Sequence, residues 1–360
     1  MEWGGRTLTV EVGRLALTAN ASCTVRYGDT VLLATIVVSK TERAGIDFLP
    51  LMVNFEEKLY AAGKIKGSRF IKREGRPSDE AVLSGRMVDR AIRPLFDQRL
   101  RKDIQVILTA LSFDGDNDSQ IPALIAASIV STISTAPFDG PIAGVRIGRV
   151  NGMLKINPTF KERETSDIDI VVAGTPDSVI MVEAGCKEAP EADVIAAMQF
   201  GAHELGSVIS FIKRIQSEVG AEKMSLDHDV SEDEQVLRDL ETAADQFVAS
   251  RVDEWIFDSV KKGKKERVAM VDRFSEGLKA WLVEQSADEK HMTIILSRVK
   301  VYVEKYITTA LIERGQRLDG RSLTEIRPLE IQVGLLPRTH GTGLFMRGDT
   351  QVLSVVTLGA

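Results

Sequence analysis

The chain has 360 residues, of which 44% are hydrophobic and 27% are charged, and its formal net charge at pH 7 is −6. This length and composition predict a globular protein of two or three domains. Apolar runs stay well short of the roughly 18 residues that span a membrane, and the N-terminus has no signal-peptide pattern, so we expect a cytoplasmic protein without a membrane segment.

Disulfide and metal chemistry are not indicated. Only Cys23 and Cys186 are present, far apart in the chain, and the four histidines are scattered without the spacing of metal ligands. We therefore expect neither a disulfide framework nor a metal site.

The first 220 residues mix strand and helix patterns. Apolar and polar residues alternate from Leu8 to Val12, and Thr30–Val38 is an apolar, β-branched run that is typical of a buried strand. Asn151-Gly152 separates two apolar segments and predicts a type I′ hairpin turn. Pro190, followed by acidic residues, predicts the start of a helix that continues toward Ile215. These patterns predict one α+β core.

The next region, residues 225–312, has apolar residues at helical spacing and no strand pattern, so it is predicted to be an all-helical domain. Its last helix is predicted to run from about Asp288 to Ile312. The basic run Lys261–Lys265 has two interpretations, a contact with nucleic acid or a solvated connection between helices.

A repeat indicates a duplicated domain. Leu8–Gly13 aligns with Leu329–Gly334, and Gly28-Asp29-Thr30 aligns with Gly348-Asp349-Thr350 in the same order. Residues 313–360 are therefore predicted to be a linker and the start of a second copy, which we expect to continue beyond this sequence.

Positive charge is concentrated in one part of the chain. Between residues 58 and 102 there are 13 lysines and arginines against five acidic residues, an excess of eight positive charges in a chain whose net charge is −6. Such segregation is typical of a polyanion site. The alternative is that these side chains are solvated or form internal salt bridges, for example with Asp89 and Asp97.

Two groups within this basic segment are candidates for contact with nucleic acid. Glycines interrupt Lys64–Arg76, which predicts a loop, and Phe70 lies in it beside cations, so that the ring is placed to stack on a base while Lys72 and Arg73 hold phosphates. Three arginines follow at spacings of four and three residues, which predicts one face of a helix that begins near Ser78: Arg86, Arg90 and Arg93.

Four segments resemble polynucleotide phosphorylase. They read LYAAGKIKGSRFIKREGRPSDE, RMVDRAIRPLF, VAGTPDSVIMVEAGCKE and RGQRLDGRSLTEIRPLEIQVGLLPRTHGTGLFMRGDTQ. The similarity runs along essentially the whole chain in the family's order, and implies an α+β fold whose core is of the RNase PH type (ribosomal-protein S5 domain 2-like β-α-β). It implies a first RNase PH-like domain at 1–220, an all-helical domain at 225–312, and a linker with the start of a second RNase PH-like domain at 313–360.

The resemblance also implies an activity. This family degrades RNA from the 3′ end by attack of inorganic phosphate, releases nucleoside diphosphates with the help of Mg²⁺, and can run backward to polymerise them. It implies a homotrimer that binds single-stranded RNA and has partners in RNA-degradation complexes. The alternative is a noncatalytic RNA-binding ring subunit, as in exosome-like assemblies.

Roles follow for residues that match the family's motifs. The family's aromatic-basic loop corresponds to the segment around Phe70, with Ile71 in place of a second aromatic residue. The resemblance implies RNA binding by Phe70, Lys72, Arg73 and Arg76, and support of RNA or phosphate by Arg86, Arg90 and Arg93.

Catalytic residues are expected beyond Ala360, because the family's active site belongs to the second core. In the first core, the family's serine-rich turn corresponds to Asp116–Pro122. One acidic residue of the family's site is retained as Asp169. Val171 stands in place of the catalytic lysine, and Arg163 lies near the position of the other acid. The resemblance therefore implies a degenerate first core that holds no metal.

Overall fold

The chain folds into two compact units, Met1–Asp227 and His228–Ala360, each with its own hydrophobic core. The predicted mixed α+β fold is confirmed. The computed structural model describes residues 1–43, 46, 48–65, 75–225 and 232–359.

A six-stranded sheet forms one layer of the first unit. Its strands are β1 (Glu2–Trp3), β2 (Arg6–Val12), β3 (Ala21–Tyr27), β4 (Thr30–Glu42), β5 (Leu51–Glu56) and β6 (Lys102–Ser112). They lie in the order β1-β2-β3-β4-β6-β5, and within this sheet only β5 and β6 pair in parallel. The strand predicted at Thr30–Val38 is β4, where Leu32, Ala34 and Ile36 face the core in alternation.

A second, antiparallel sheet contains β7 (Ala143–Val150), β8 (Met153–Ile156), β9 (Ile168–Gly174) and β10 (Val179–Cys186), in the order β10-β9-β7-β8. The predicted hairpin is confirmed. Asn151 and Gly152 join β7 to β8 with φ angles of 51° and 78°, the left-handed conformation that a type I′ turn requires.

Helices pack against these sheets. They are α1 (Asp79–Ile92), α2 (Gln120–Ile133), α3 (Phe160–Thr165) and α4 (Glu191–Val219). All of α2 after its first residue is buried, so this helix is the centre of the core. Within the described ranges, α4 is the one helix long and apolar enough to cross a membrane. Its residues Leu205, Ile209 and Ile212 are buried in the first unit, as in a core helix.

The second unit begins with five helices, α5 (Glu232–Ala249), α6 (Val252–Trp255), α7 (Lys264–Glu284), α8 (Glu289–Ser297) and α9 (Val299–Arg314). The predicted single helix from about Asp288 to Ile312 is wrong. Arg298, with φ −93° and ψ 4°, separates α8 from α9. Within the basic run, Lys261 is buried and pairs with Asp258, so this lysine is not part of a solvated connection.

The repeat predicted from the sequence is visible in the backbone. Three antiparallel strands, β11 (Leu329–Val333), β12 (Gly341–Arg347) and β13 (Thr350–Val356), follow the same order as β2, β3 and β4. Gly28 and Gly348 lie in the equivalent turns of the two copies, with φ angles of 63° and 58°. In the first copy Leu32 is fully buried, whereas its counterpart Val352 is 55% exposed.

Candidate nucleic-acid interface and first-core cavity

Helix α1 carries two of the three predicted arginines, Arg86 and Arg90, whereas Arg93 follows the last residue of the helix. The Ser78 hydroxyl accepts a hydrogen bond from the Ala81 amide at 3.0 Å, so this serine is the predicted N-cap. Gly85 brings the helix close to β5: a Cβ at this position would lie 3.3 Å from the Val53 carbonyl oxygen and the Phe55 amide nitrogen. This buried face leaves Arg86 on the exposed side.

The three predicted arginines differ in what they contact. Among the residues that the structure describes, Arg86 has no ion-pair or hydrogen-bond partner, and its side chain is exposed. Arg90 forms an ion pair with Glu183 at 3.0 Å. Arg93 forms an ion pair with Asp89 at 2.7 Å and donates to the Leu51 carbonyl at 2.9 Å. Arg86 is therefore the arginine of this group most available to a ligand, while Arg93 joins α1 to β5.

The predicted loop is only partly described. Phe70, Lys72 and Arg73 lie outside the described residues. Arg76 is described: its side chain is exposed, has no ion pair within the described ranges, and borders a large cavity.

This cavity of the first unit has a volume of about 1090 Å³. Charged and aromatic side chains line it together. Phe113 and Phe160 contact each other with ring centroids 6.0 Å apart, and the Arg163 guanidinium lies 5.4 Å from the Phe160 ring. Other lining residues include Glu56, Glu57, Lys58, Lys64, Arg76, Glu80, Asp118 and Gln120.

A buried arginine organises the charges beside this cavity. Arg146, on β7, donates from Nε to Asp118 and from Nη1 to Asp169, both at 2.6 Å. Its Nη2 donates to the side-chain oxygen of Gln120, also at 2.6 Å. Arg163 donates to the other oxygen of Asp169 at 2.8 Å. These contacts join Asp169 and Arg163 to the acidic turn before α2. Asp169 and Arg163 are the residues that the sequence analysis matched to active-site positions of the family.

Two members of this cluster, Arg146 and Asp169, keep their charges. Burial opposes ionisation of Asp169, but the charge of Arg146 and the hydrogen bond from Arg163 outweigh it, and the pKa of Asp169 is lowered. Burial likewise opposes the charge of Arg146, but Asp118 and Asp169 outweigh burial, and its pKa is raised. Arg146 and Asp169 therefore remain ionised at neutral pH.

The loop before α2 has a fixed shape that presents Asp118. The Asp114 carboxylate accepts hydrogen bonds from the amides of Asp116 and Asn117, at 2.9 and 2.8 Å, and from the Asp29 amide at 3.0 Å. Side-chain acceptance from amides two and three residues ahead is typical of a tight turn. Asp114 is thus occupied by backbone donors.

The described residues of this core do not fit a magnesium site. Asp118 and Asp169 both face Arg146, which is a hydrogen-bond donor and leaves no place for a cation between them. Within the described ranges, no group of three or more His, Cys, Asp or Glu residues is arranged to hold a metal ion.

Arg146 is the central residue of this cluster, and the sequence analysis did not single it out. It stands in an apolar strand segment, between Val145 and Ile147, and a charge in such a segment requires buried partners. That signal points to a buried ion pair. It does not identify the partners, because they come from two other segments of the chain, residues 118–120 and residue 169.

The family model described as "3′ exoribonuclease family, domain 1" matches residues 4–136, and the model described as "3′ exoribonuclease family, domain 2" matches residues 140–204. Together these matches cover more than half of the chain. The chain belongs to the 3′ exoribonuclease family.

Several relatives of this chain carry the name polyribonucleotide nucleotidyltransferase. Those of Heliobacterium modesticaldum and Exiguobacterium sibiricum are 46% identical over 100% and 99% of the chain, which corresponds to 49% and 47% of their own lengths. That of Anoxybacillus flavithermus is 45% identical over 100% of the chain and 50% of its own length. The chain thus spans about half the length of the curated relatives it matches.

Among solved structures, the crystal structure of rice (Oryza sativa) Rrp46 is similar over 58% of this chain and 94% of its own. The sequence identity is 13% and the TM-score is 0.49.

Proposed function

We propose that the complete protein is a polyribonucleotide nucleotidyltransferase, which degrades RNA from the 3′ end by phosphorolysis and releases nucleoside diphosphates. The observation that carries this proposal is the 46% identity to enzymes of that name over the whole of this chain. In this proposal residues 1–220 are the first core, residues 225–312 the helical domain, and residues 313–360 the linker and the beginning of the second core.

The role proposed for this chain is to guide single-stranded RNA. Exposed cations without internal partners are suited to contact phosphates, and among the described residues Arg76 and Arg86 are of this kind. Phe70, Lys72 and Arg73 would add one stacking surface and two charges. Arg90 and Arg93 would act mainly by holding α1 in place, because both contact the protein.

Phosphorolysis needs inorganic phosphate as the attacking group, and the family uses Mg²⁺ for charge stabilisation. We propose that both are bound outside the first core, because Asp118 and Asp169, the carboxylates of its charged cluster, are engaged by arginines. A homotrimer in the cytoplasm, with partners in RNA degradation, completes the proposal. The identity to catalytic relatives favours this enzyme over a noncatalytic ring subunit.

The experiment compares this 360-residue chain with the complete protein on poly(A) that has a free 3′-hydroxyl, with Mg²⁺ and with or without phosphate. We expect phosphate-dependent release of ADP from the complete protein and RNA binding without ADP release from the chain alone. Absence of phosphate-dependent ADP from the complete protein would reject the enzyme and favour the noncatalytic subunit. Release by the chain alone, after a check for contaminating enzyme, would mean that the first core is itself catalytic.

A further inference from the structure

One point beside the first-core cavity has the donors of an anion-binding site. The guanidinium groups of Arg146 and Arg163 and the N-terminus of α2 all face it, and guanidinium groups together with helix amides are how proteins bind phosphate and sulfate. The group found at this point is the carboxylate of Asp118.

Asp118 makes the contacts that an external anion would make. Its Oδ1 accepts a hydrogen bond from the Gln120 amide at 2.9 Å, and its Oδ2 accepts one from Arg146 Nε at 2.6 Å. Arg163 Nη1 lies 4.0 Å from the same Oδ2. Ser119, the N-cap residue of α2, makes no side-chain cap bond, so Asp118 is the side chain that satisfies the helix end.

We propose that Asp118 is a built-in anion that keeps inorganic phosphate out of the first core. The inference rests on the proposed function, in which phosphate is the co-substrate. Asp118 would then be the residue that confines phosphate to the other core, so that RNA passes the first core without being cleaved there.

The carboxylate has an advantage over free phosphate because it belongs to the chain. It loses no translational freedom when it contacts Arg146, and the turn around Asp114 holds the backbone of the two residues that precede it. The buried Arg146 needs anionic partners in any case. With Asp118 removed, Arg146 and Arg163 would share only Asp169, and one positive charge would be left for an external anion.

The test is phosphate binding by the Asp118→Ser variant of the 360-residue chain, measured as the change in melting temperature with added phosphate. With a Kd of about 1 mM, we expect 10 mM phosphate to raise the melting temperature of the variant by about 3–6 °C. The unaltered chain and the Asp116→Ser variant, which removes an exposed carboxylate from the same loop, should not respond. Chloride at the same ionic strength is the control for salt.

A second variant covers the case in which Asp118→Ser folds poorly. Asp118→Asn removes the negative charge but keeps an oxygen for the Gln120 amide and still fills the space, so we expect a phosphate response that is smaller than that of Asp118→Ser. If Asp118→Ser folds in the presence of phosphate but not of chloride, that result would also support the proposal. No response in any folded Asp118 variant, or an equal response in the unaltered chain, would overturn it. Because this readout needs no RNA and no turnover, it is independent of whether the complete protein proves to be a phosphorolytic enzyme.

Discussion

Arg146 is the residue on which the charged cluster of the first core depends. It is buried and donates to Asp118, Asp169 and Gln120 from three different nitrogens. A buried charge is tolerated when its partners surround it in this way, and the partners in turn depend on the arginine. The stability of the first core therefore depends on the charge of this one side chain.

Replacing Arg146 should show how far the stability of the cluster depends on this residue. We expect Arg146→Met to lower the free energy of unfolding by about 3–5 kcal/mol, because it leaves two carboxylates with too few donors. Arg14→Met is the control: Arg14 pairs with Glu11 at the surface, and its loss should cost less than about 1 kcal/mol. Urea unfolding followed by circular dichroism measures both. A loss as small as that of the control would show that Arg146 is not the organising residue.

At the scale of secondary-structure elements, close approach of α4 to β7 shapes the first core. Gly201 makes it possible: a Cβ there would lie 2.5 Å from Ile147 Cδ1 and 3.3 Å from Val145 Cγ1. Both of these residues are fully buried, so they have little room to move. Gly206, on the same helix, has nothing within 4 Å of such a Cβ.

These two glycines give a matched pair of variants. Gly201→Val should lower the free energy of unfolding by about 1–3 kcal/mol through overpacking against β7. Gly206→Val, with open space, should stay within about 0.5 kcal/mol of the parent. Thermal unfolding of the two variants measures the difference. Equal effects would mean that helix propensity, not packing, decides the outcome at both positions.

Local patterns predicted much of the element content, and the failures have a physical reason. Asn151-Gly152 identified the hairpin, and Pro190 identified the start of α4, because both signals act over a few residues. The break at Arg298 was missed because the apolar pattern continues across it. Of the candidate site, the exposure of Arg86 was predictable from helical spacing. The cluster around Arg146 was not, because its partners come from residues 118–120, 163 and 169 and meet only in the folded chain.

At the scale of the whole molecule, charge is segregated. An excess of eight positive charges lies between residues 58 and 102, while the chain as a whole has a net charge of −6. In the proposed function, the acidic remainder would repel RNA elsewhere on the surface and direct its binding to the basic segment.

This distribution predicts how RNA affinity depends on salt. The double variant Lys72→Ala/Arg73→Ala and the variant Arg86→Ala should each bind single-stranded RNA more weakly. The slope of log K against log salt concentration should become shallower by about 0.7 for each cation removed that contacts a phosphate. Fluorescence anisotropy with labelled oligo(A) between 50 and 200 mM salt, values typical for such titrations, gives the slope, and Arg14→Ala is the surface control. An unchanged slope would place the altered residue away from the RNA path.

The charged cluster beside the first-core cavity also has a consequence for how this core evolves. Asp118, Arg146 and Asp169 support one another, so a substitution at one of them leaves a buried charge at the others. Loss of one of the three therefore favours replacement of the other two. Across related chains, we therefore expect these positions to change as a set, and an intermediate that carries only one of the changes to be rare.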